Sequence, residues 1–154
     1  MKRGERQGGF TYVALLFALA VFGLGAAWIG ETSSRTVQRE RERELVQIGL
    51  QIQAAIRSYY LASPGSVRNF PRSFDELEFD ARYVGVRRHL RRLERDPIAN
   101  SFDWGVIRAP DGGIAGVYSL RETTPLTMPG ITIGAFEVPP GNRYSNWKFA
   151  YVPE

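Results

Sequence analysis

The densest run of like charge in the chain is Arg87-Arg88-His89-Leu90-Arg91-Arg92, which also holds the only histidine. Guanidinium groups attract phosphates without regard to sequence, so Arg87, Arg88, Arg91 and Arg92 suit lipid headgroups, nucleic acid or an acidic partner. At helical spacing Arg87, Arg91 and Arg95 stack on one face, with Arg88 and Arg92 beside them. A solvated or subunit-contacting face, balanced by Glu40, Glu42 and Glu44 of neighbouring copies, is the simpler reading, and nucleic acid is not expected as a partner. A histidine-based triad would have to use His89, which has no evident acid or nucleophile beside it in the sequence and is expected at the surface. The chain has no cysteine, which excludes disulfides, thiolate metal sites and thiol catalysis. A single histidine excludes a multi-histidine metal centre.

Asp96, Asn100, Asp103 and Asp111 offer oxygen ligands in loop-like sequence. Calcium takes about six to eight oxygens and no EF-hand spacing is present, so capping and turn formation explain these residues at lower cost. No cofactor is expected. Gly112-Gly113 and Gly116 fall in a hairpin pattern and not between a strand and a helix, where a phosphate loop would lie. Trp104, Trp147 and Tyr151 read as core or sheet-face aromatics.

The elements that position these residues begin with a strong asymmetry. Of the 154 residues 44% are hydrophobic and 23% charged, with a net charge of +4, values that fit one ordinary domain. The apolar residues are concentrated early, however. A short polar segment with Lys2, Arg3, Glu5 and Arg6 precedes residues 10–30, which carry no charge. At 1.5 Å per residue that block spans about 32 Å, enough for the hydrocarbon core of a bilayer. The backbone of such a span must satisfy its own hydrogen bonds, which dictates helix, and Trp28 suits an interfacial anchor. Basic residues resist translocation, so the N-terminus is expected in the cytoplasm and the bulk of the chain outside it. The block is too long for the apolar core of a cleaved secretory signal.

Beyond Gly30, charges of alternating sign lead into Leu45, Ile48, Ile52, Ala55 or Ile56, and Tyr59, spaced by three or four. This is one stripe of an amphipathic helix. Residues 10–61 thus read as a single helix about 78 Å long, stopped by Pro64-Gly65. Ser73 and Glu76 form a capping-box pattern, and a second short helix is expected over 82–94, with Val86, Leu90 and Leu93 inward. The period then changes to alternation: 102–109 and 114–120 read as strands around the turn Pro110-Asp111-Gly112-Gly113, and 131–138 and 147–152 as later ones. The predicted class is α+β, a long N-terminal helix packed on a small antiparallel sheet of three or four strands. The division expected is a leader over 1–9, a transmembrane helix over 10–30, its amphipathic continuation over 31–62 and a globular head over 63–154.

The stretch Gly8-Gly9-Phe10-Thr11-Tyr12-Val13-Ala14-Leu15-Leu16 resembles the prepilin processing signal of type IV pilins and type II secretion pseudopilins. The resemblance continues through Tyr59-Tyr60, Phe70-Pro71, Leu77, Arg92-Leu93, Asp96-Pro97, Asn100, Trp104 and the run from Gly113 to Ser119, and is weakest after Leu120. It implies a pilin-like fold and cleavage between Gly9 and Phe10 by a membrane prepilin peptidase, with methylation of the new N-terminal Phe10. It implies a single-pass subunit of the bacterial inner membrane with a periplasmic head. The partners implied are other pilin or pseudopilin subunits, the peptidase and an inner-membrane assembly platform. Helices would stack through Ala14, Leu15, Leu16 and Ala18, and the small residues Ala14, Ala18, Gly23 and Gly25 permit close approach. Major pseudopilins of the family bind calcium in a loop near the sheet, which makes Asp96, Asn100 and Asp103 the candidates here.

One position departs from the family pattern. Most members carry glutamate as the fifth mature residue, paired with the methylated amine of a neighbour, and here that position is Ala14. The helix is easier to insert without a buried carboxylate, but the register-setting partner is gone. A structural, non-enzymatic role as a subunit of a type II secretion pseudopilus is expected, and Ala14 fits either a minor or tip position or a divergent major subunit. A minor type IV pilin for adhesion, motility or DNA uptake is the alternative, and a signal-anchored periplasmic enzyme or binding domain a more distant one.

Overall fold

The computed structural model describes residues 8–153, with side chains described over 12–22 and 34–153. The chain divides into two units, residues 1–38 and 39–154. The helix α1 (Gly8–Leu61) contributes to both.

In the first unit every described side chain over 12–22 is exposed, including Tyr12, Leu15, Phe17 and Phe22. The apolar groups run around the whole circumference of the helix and form no single stripe, the pattern of a helix covered on all sides. Among the described residues no helix is long and apolar enough to cross a membrane. The span expected over 10–30 continues through 23–30, whose side chains lie outside the described residues. So do the side chains of Phe10 and Trp28, and residues 1–7 of the leader expected over 1–9 lie outside altogether.

The second unit is α+β. Its part of α1 buries Leu45, Ile48, Ile52, Ala55, Ile56 and Tyr59, the stripe that the three-and-four spacing predicts, and Val46 beside it. The stripe packs on a three-stranded antiparallel sheet of β1 (Trp104–Arg108), β2 (Ile114–Ser119) and β5 (Lys148–Ala150), in the order β1-β2-β5. Val117 of β2 faces Val106 on one side and Phe149 on the other. Gly49 marks a close approach of helix and sheet, since a Cβ there would stand 2.4 Å from Phe149 Cδ2. One turn further on, Gln53 Nε2 donates to the Ala150 carbonyl at 2.5 Å. The β1–β2 turn has Gly112 at φ 81°, a left-handed conformation that suits glycine. Asp111 closes that turn, its Oδ1 accepting from Gly113 N at 2.9 Å and its Oδ2 from Phe70 N at 3.1 Å.

Three expectations are corrected. Residues 82–94 form no helix: Gly85 takes φ 115° and the backbone N–H groups of His89 and Leu90 both donate to the Leu77 carbonyl. Arg87, Arg91 and Arg95 therefore do not stack on a helical face, and Val86 is 72% exposed although Leu90 and Leu93 pack on the core. The capping box is not made either. The short helix α2 (Asp75–Glu78) has Phe74 as N-cap with no side-chain cap, because Glu76 Oε2 accepts instead from Tyr59 Oη at 2.8 Å and from Arg72 N at 3.0 Å. The region 131–138 is not one strand but the separate hairpin β3 (Thr132–Ile133) and β4 (Phe136–Glu137), bent at Gly134 with φ 61°.

Candidate functional site

The loop after α2 returns to the C-terminal end of α1 through a chain of buried polar groups. Asp80, completely buried, accepts from Arg82 in fork fashion: Nε to Oδ1 at 2.8 Å and Nη2 to Oδ2 at 2.8 Å. The same guanidinium donates from Nη2 to the Tyr59 carbonyl at 3.0 Å and from Nη1 to Ser63 Oγ at 2.9 Å. It lies 3.5 Å from the centroid of the Tyr59 ring. A helix leaves its last carbonyls without intrahelical partners, and a cation placed there satisfies them. The Tyr83 hydroxyl does likewise for the Ala62 carbonyl. The Arg82 hydrogen bond holds the Asp80 carboxyl far below the usual carboxylate range against the opposing effect of burial, with further help from His89, and the partnership raises Arg82 in turn. Burial, followed by the hydrogen bond to Glu76, pushes the Tyr59 phenol up.

His89 is not at the surface. Its side chain is 1% exposed, its Nε2 lies 3.1 Å from Asp80 Oδ2, and its Nδ1 lies 2.8 Å from Ser58 Oγ. An ionised carboxylate only accepts, so Nε2 carries the hydrogen, and in the neutral ring Nδ1 accepts from the Ser58 hydroxyl. The Tyr59 ring meets the imidazole edge-on at 5.5 Å. Ser58 is itself exposed. Sequence spacing could not reveal this set, because Ser58, Asp80 and His89 lie on α1 and an irregular loop and meet only through tertiary packing.

The arginines predicted as a contact surface do reach solvent. Arg87, Arg88, Arg91 and Arg92 are all exposed, and none forms a salt bridge among the described residues. Arg87 lies 4.4 Å from the Tyr83 ring centroid. Their expected counter-charge is reduced, since Glu42 is fully buried. It accepts from Leu126 N at 2.6 Å, Thr127 Oγ1 at 2.5 Å and Tyr144 Oη at 2.7 Å, and cannot serve a neighbouring copy.

The calcium candidates are engaged with protein donors. Asp96 is buried, its Oδ1 accepting from Ile98 N at 2.8 Å and Ala99 N at 3.1 Å and its Oδ2 from Ser119 Oγ. Asn100 Oδ1 accepts from Arg95 at 3.1 Å, and Asp103 Oδ2 from Ser101 Oγ at 2.7 Å. Among the described residues no group of three or more metal-ligating side chains is placed to hold an ion.

In the first unit Ala14, Leu15, Leu16 and Ala18, the predicted bundle contacts, are all exposed. No protein-family model matches the chain, and no curated protein or solved structure matches it either.

Proposed function

We propose that the chain is a structural subunit of a type II secretion pseudopilus, held in the bacterial inner membrane and assembled through its N-terminal helix. The observation that carries this reading is the exposed apolar run over 12–22, in which Leu15 is 57% and Phe17 71% exposed. Covering eight large apolar side chains over 12–22 at about 1.5–3 kcal/mol each favours burial by on the order of 10 kcal/mol or more. A bilayer before assembly and a bundle of like helices after it would provide that cover. The processing signature around Gly9-Phe10-Thr11 precedes the run, and a head of one helix stripe on a three-stranded sheet suits the surface of such a filament.

Ala14 in place of the usual glutamate favours a minor or tip position. The exposed Arg87, Arg88, Arg91 and Arg92, which form no salt bridge among the described residues, favour a second reading as a minor type IV pilin that meets a polyanion such as incoming DNA. The chain has no cysteine of its own, so an Ala18→Cys variant tests assembly directly. Oxidation in membranes that carry the assembly platform traps disulfide-linked dimers if helices pack there. Monomer alone, under conditions in which the thiol reacts with a small maleimide, counts against a bundle.

A further inference from the structure

The Ser58–His89–Asp80 chain does more than a structural tie requires. A tie would be complete with Arg82, which already joins Asp80 to the Tyr59 carbonyl and Ser63. His89 adds a second link in which a buried carboxylate orients an imidazole, and the free nitrogen of that imidazole lies 2.8 Å from a serine hydroxyl exposed to solvent. A nucleophile, a base and a group that orients the base constitute the arrangement that activates a hydroxyl. Ser58 also borders a cleft of about 410 Å³ lined by Ala54, Arg57, Ser58, Leu61, Ala62 and Arg87. Neither Arg57 nor Arg87 forms a salt bridge among the described residues.

We propose that Ser58 is a nucleophilic serine and that the cleft beside it takes acyl esters bearing an anionic group. Ser58 Oγ attacks the acyl carbon while its proton passes to His89 Nδ1. Asp80 holds the opposite N–H and stabilises the positive ring. Arg57 and Arg87 supply positive charge for the developing oxyanion and for the anionic group of the ester. The carbon–oxygen bond to the alcohol then breaks, and the alcohol departs with the proton from His89. Ser58 is left as an acyl ester and the imidazole is neutral again. Arg82 acts as a positioning residue, since it fixes the plane of the Asp80 carboxylate.

The test uses the full chain in detergent micelles with p-nitrophenyl 4-carboxybenzoate, an anionic ester whose own carboxylate cannot reach its acyl carbon, followed by peptide mass mapping of acylated serines. Ser66 is exposed and serves as the unassisted reference within the same molecule. A positioned general base contributes about 100-fold or more, so Ser58 is expected to acylate at least about 100 times faster than Ser66. The neutral p-nitrophenyl ester of benzoic acid should react more slowly at Ser58, relative to its rate at Ser66, than the anionic ester does. Ser58→Ala is expected to remove the fast phase of p-nitrophenol release, and His89→Gln to bring the rate at Ser58 down to that at Ser66. Equal rates at Ser58 and Ser66 in the unaltered chain, which depend on no variant folding, would overturn the proposal and leave the network as a tie between loop and helix. A fast phase that survives Ser58→Ala would overturn it as well.

Discussion

Tyr144 donates its hydroxyl to Glu42 at 2.7 Å, a contact between residues 102 positions apart in which both partners are fully buried. With Leu126 N and Thr127 Oγ1 as further donors, the carboxylate fastens α1 to two separate stretches of the C-terminal half. Removing an acceptor from three buried or half-buried donors costs more than the bonds themselves are worth. Glu42→Ala is expected to destabilise the chain by about 1–3 kcal/mol for each buried donor left without an acceptor. Tyr144→Phe, which deletes one bond to a charged group, is expected to cost about 1.5–3 kcal/mol. Urea denaturation followed by circular dichroism measures both, and a loss under about 1 kcal/mol for Glu42→Ala would contradict the clamp.

Acid should act through Asp80. Its folded carboxyl lies far below the ordinary value of 3.8, chiefly because of Arg82. The resulting stability is fully present above the ordinary value and is lost as pH falls from there through the folded one. Asp80→Asn is expected to be less stable at neutral pH and to show a shallower decline below about pH 4. Parallel declines for the two proteins would mean that Asp80 does not govern the acid response.

Gly49 should not accept a methyl group. A Cβ at this position meets the Phe149 ring at 2.4 Å, and the ring is itself held in the core. Overpacking of this kind costs about 1–3 kcal/mol, against the gain in helix propensity that Ala normally brings over Gly. Gly49→Ala is therefore expected to lower the urea midpoint, and a raised midpoint would mean that helix and sheet lie further apart.

What was legible in the sequence is periodic. Leu45, Ile48, Ile52, Ile56 and Tyr59 repeat at helical spacing and are all buried, and the strands around the Asp111-Gly112 turn alternate and form β1 and β2. Non-periodic, long-range side-chain bonding was not legible. The 82–94 segment has the composition of a helix, yet Arg82 and His89 turn inward to one carboxylate, Asp80, and the backbone follows them. Glu76 shows the same competition, taken from its cap position by the Tyr59 hydroxyl. Glu42 lies among surface charges in sequence and looked like one of them, because its donors, Leu126, Thr127 and Tyr144, come 84, 85 and 102 residues later.

Ala14 is exposed on the apolar run of α1. Under the proposed function, Ala14→Glu restores a carboxylate able to pair with the amine of a neighbour, and a buried charge is tolerated in a membrane only when so paired. The variant is expected to enter the filament at interior positions more often than the unaltered chain, read as the ratio of this subunit to the major one in sheared filaments. An unchanged ratio would count against the minor or tip assignment while leaving subunit status untouched.

Whether the proposed filament subunit is processed is read from intact-mass analysis of the membrane protein from cells with and without the prepilin peptidase. A chain beginning at methylated Phe10 is expected when the peptidase is present, and a chain retaining residues 1–9 when it is absent. Retention of residues 1–9 in both would contradict the proposal.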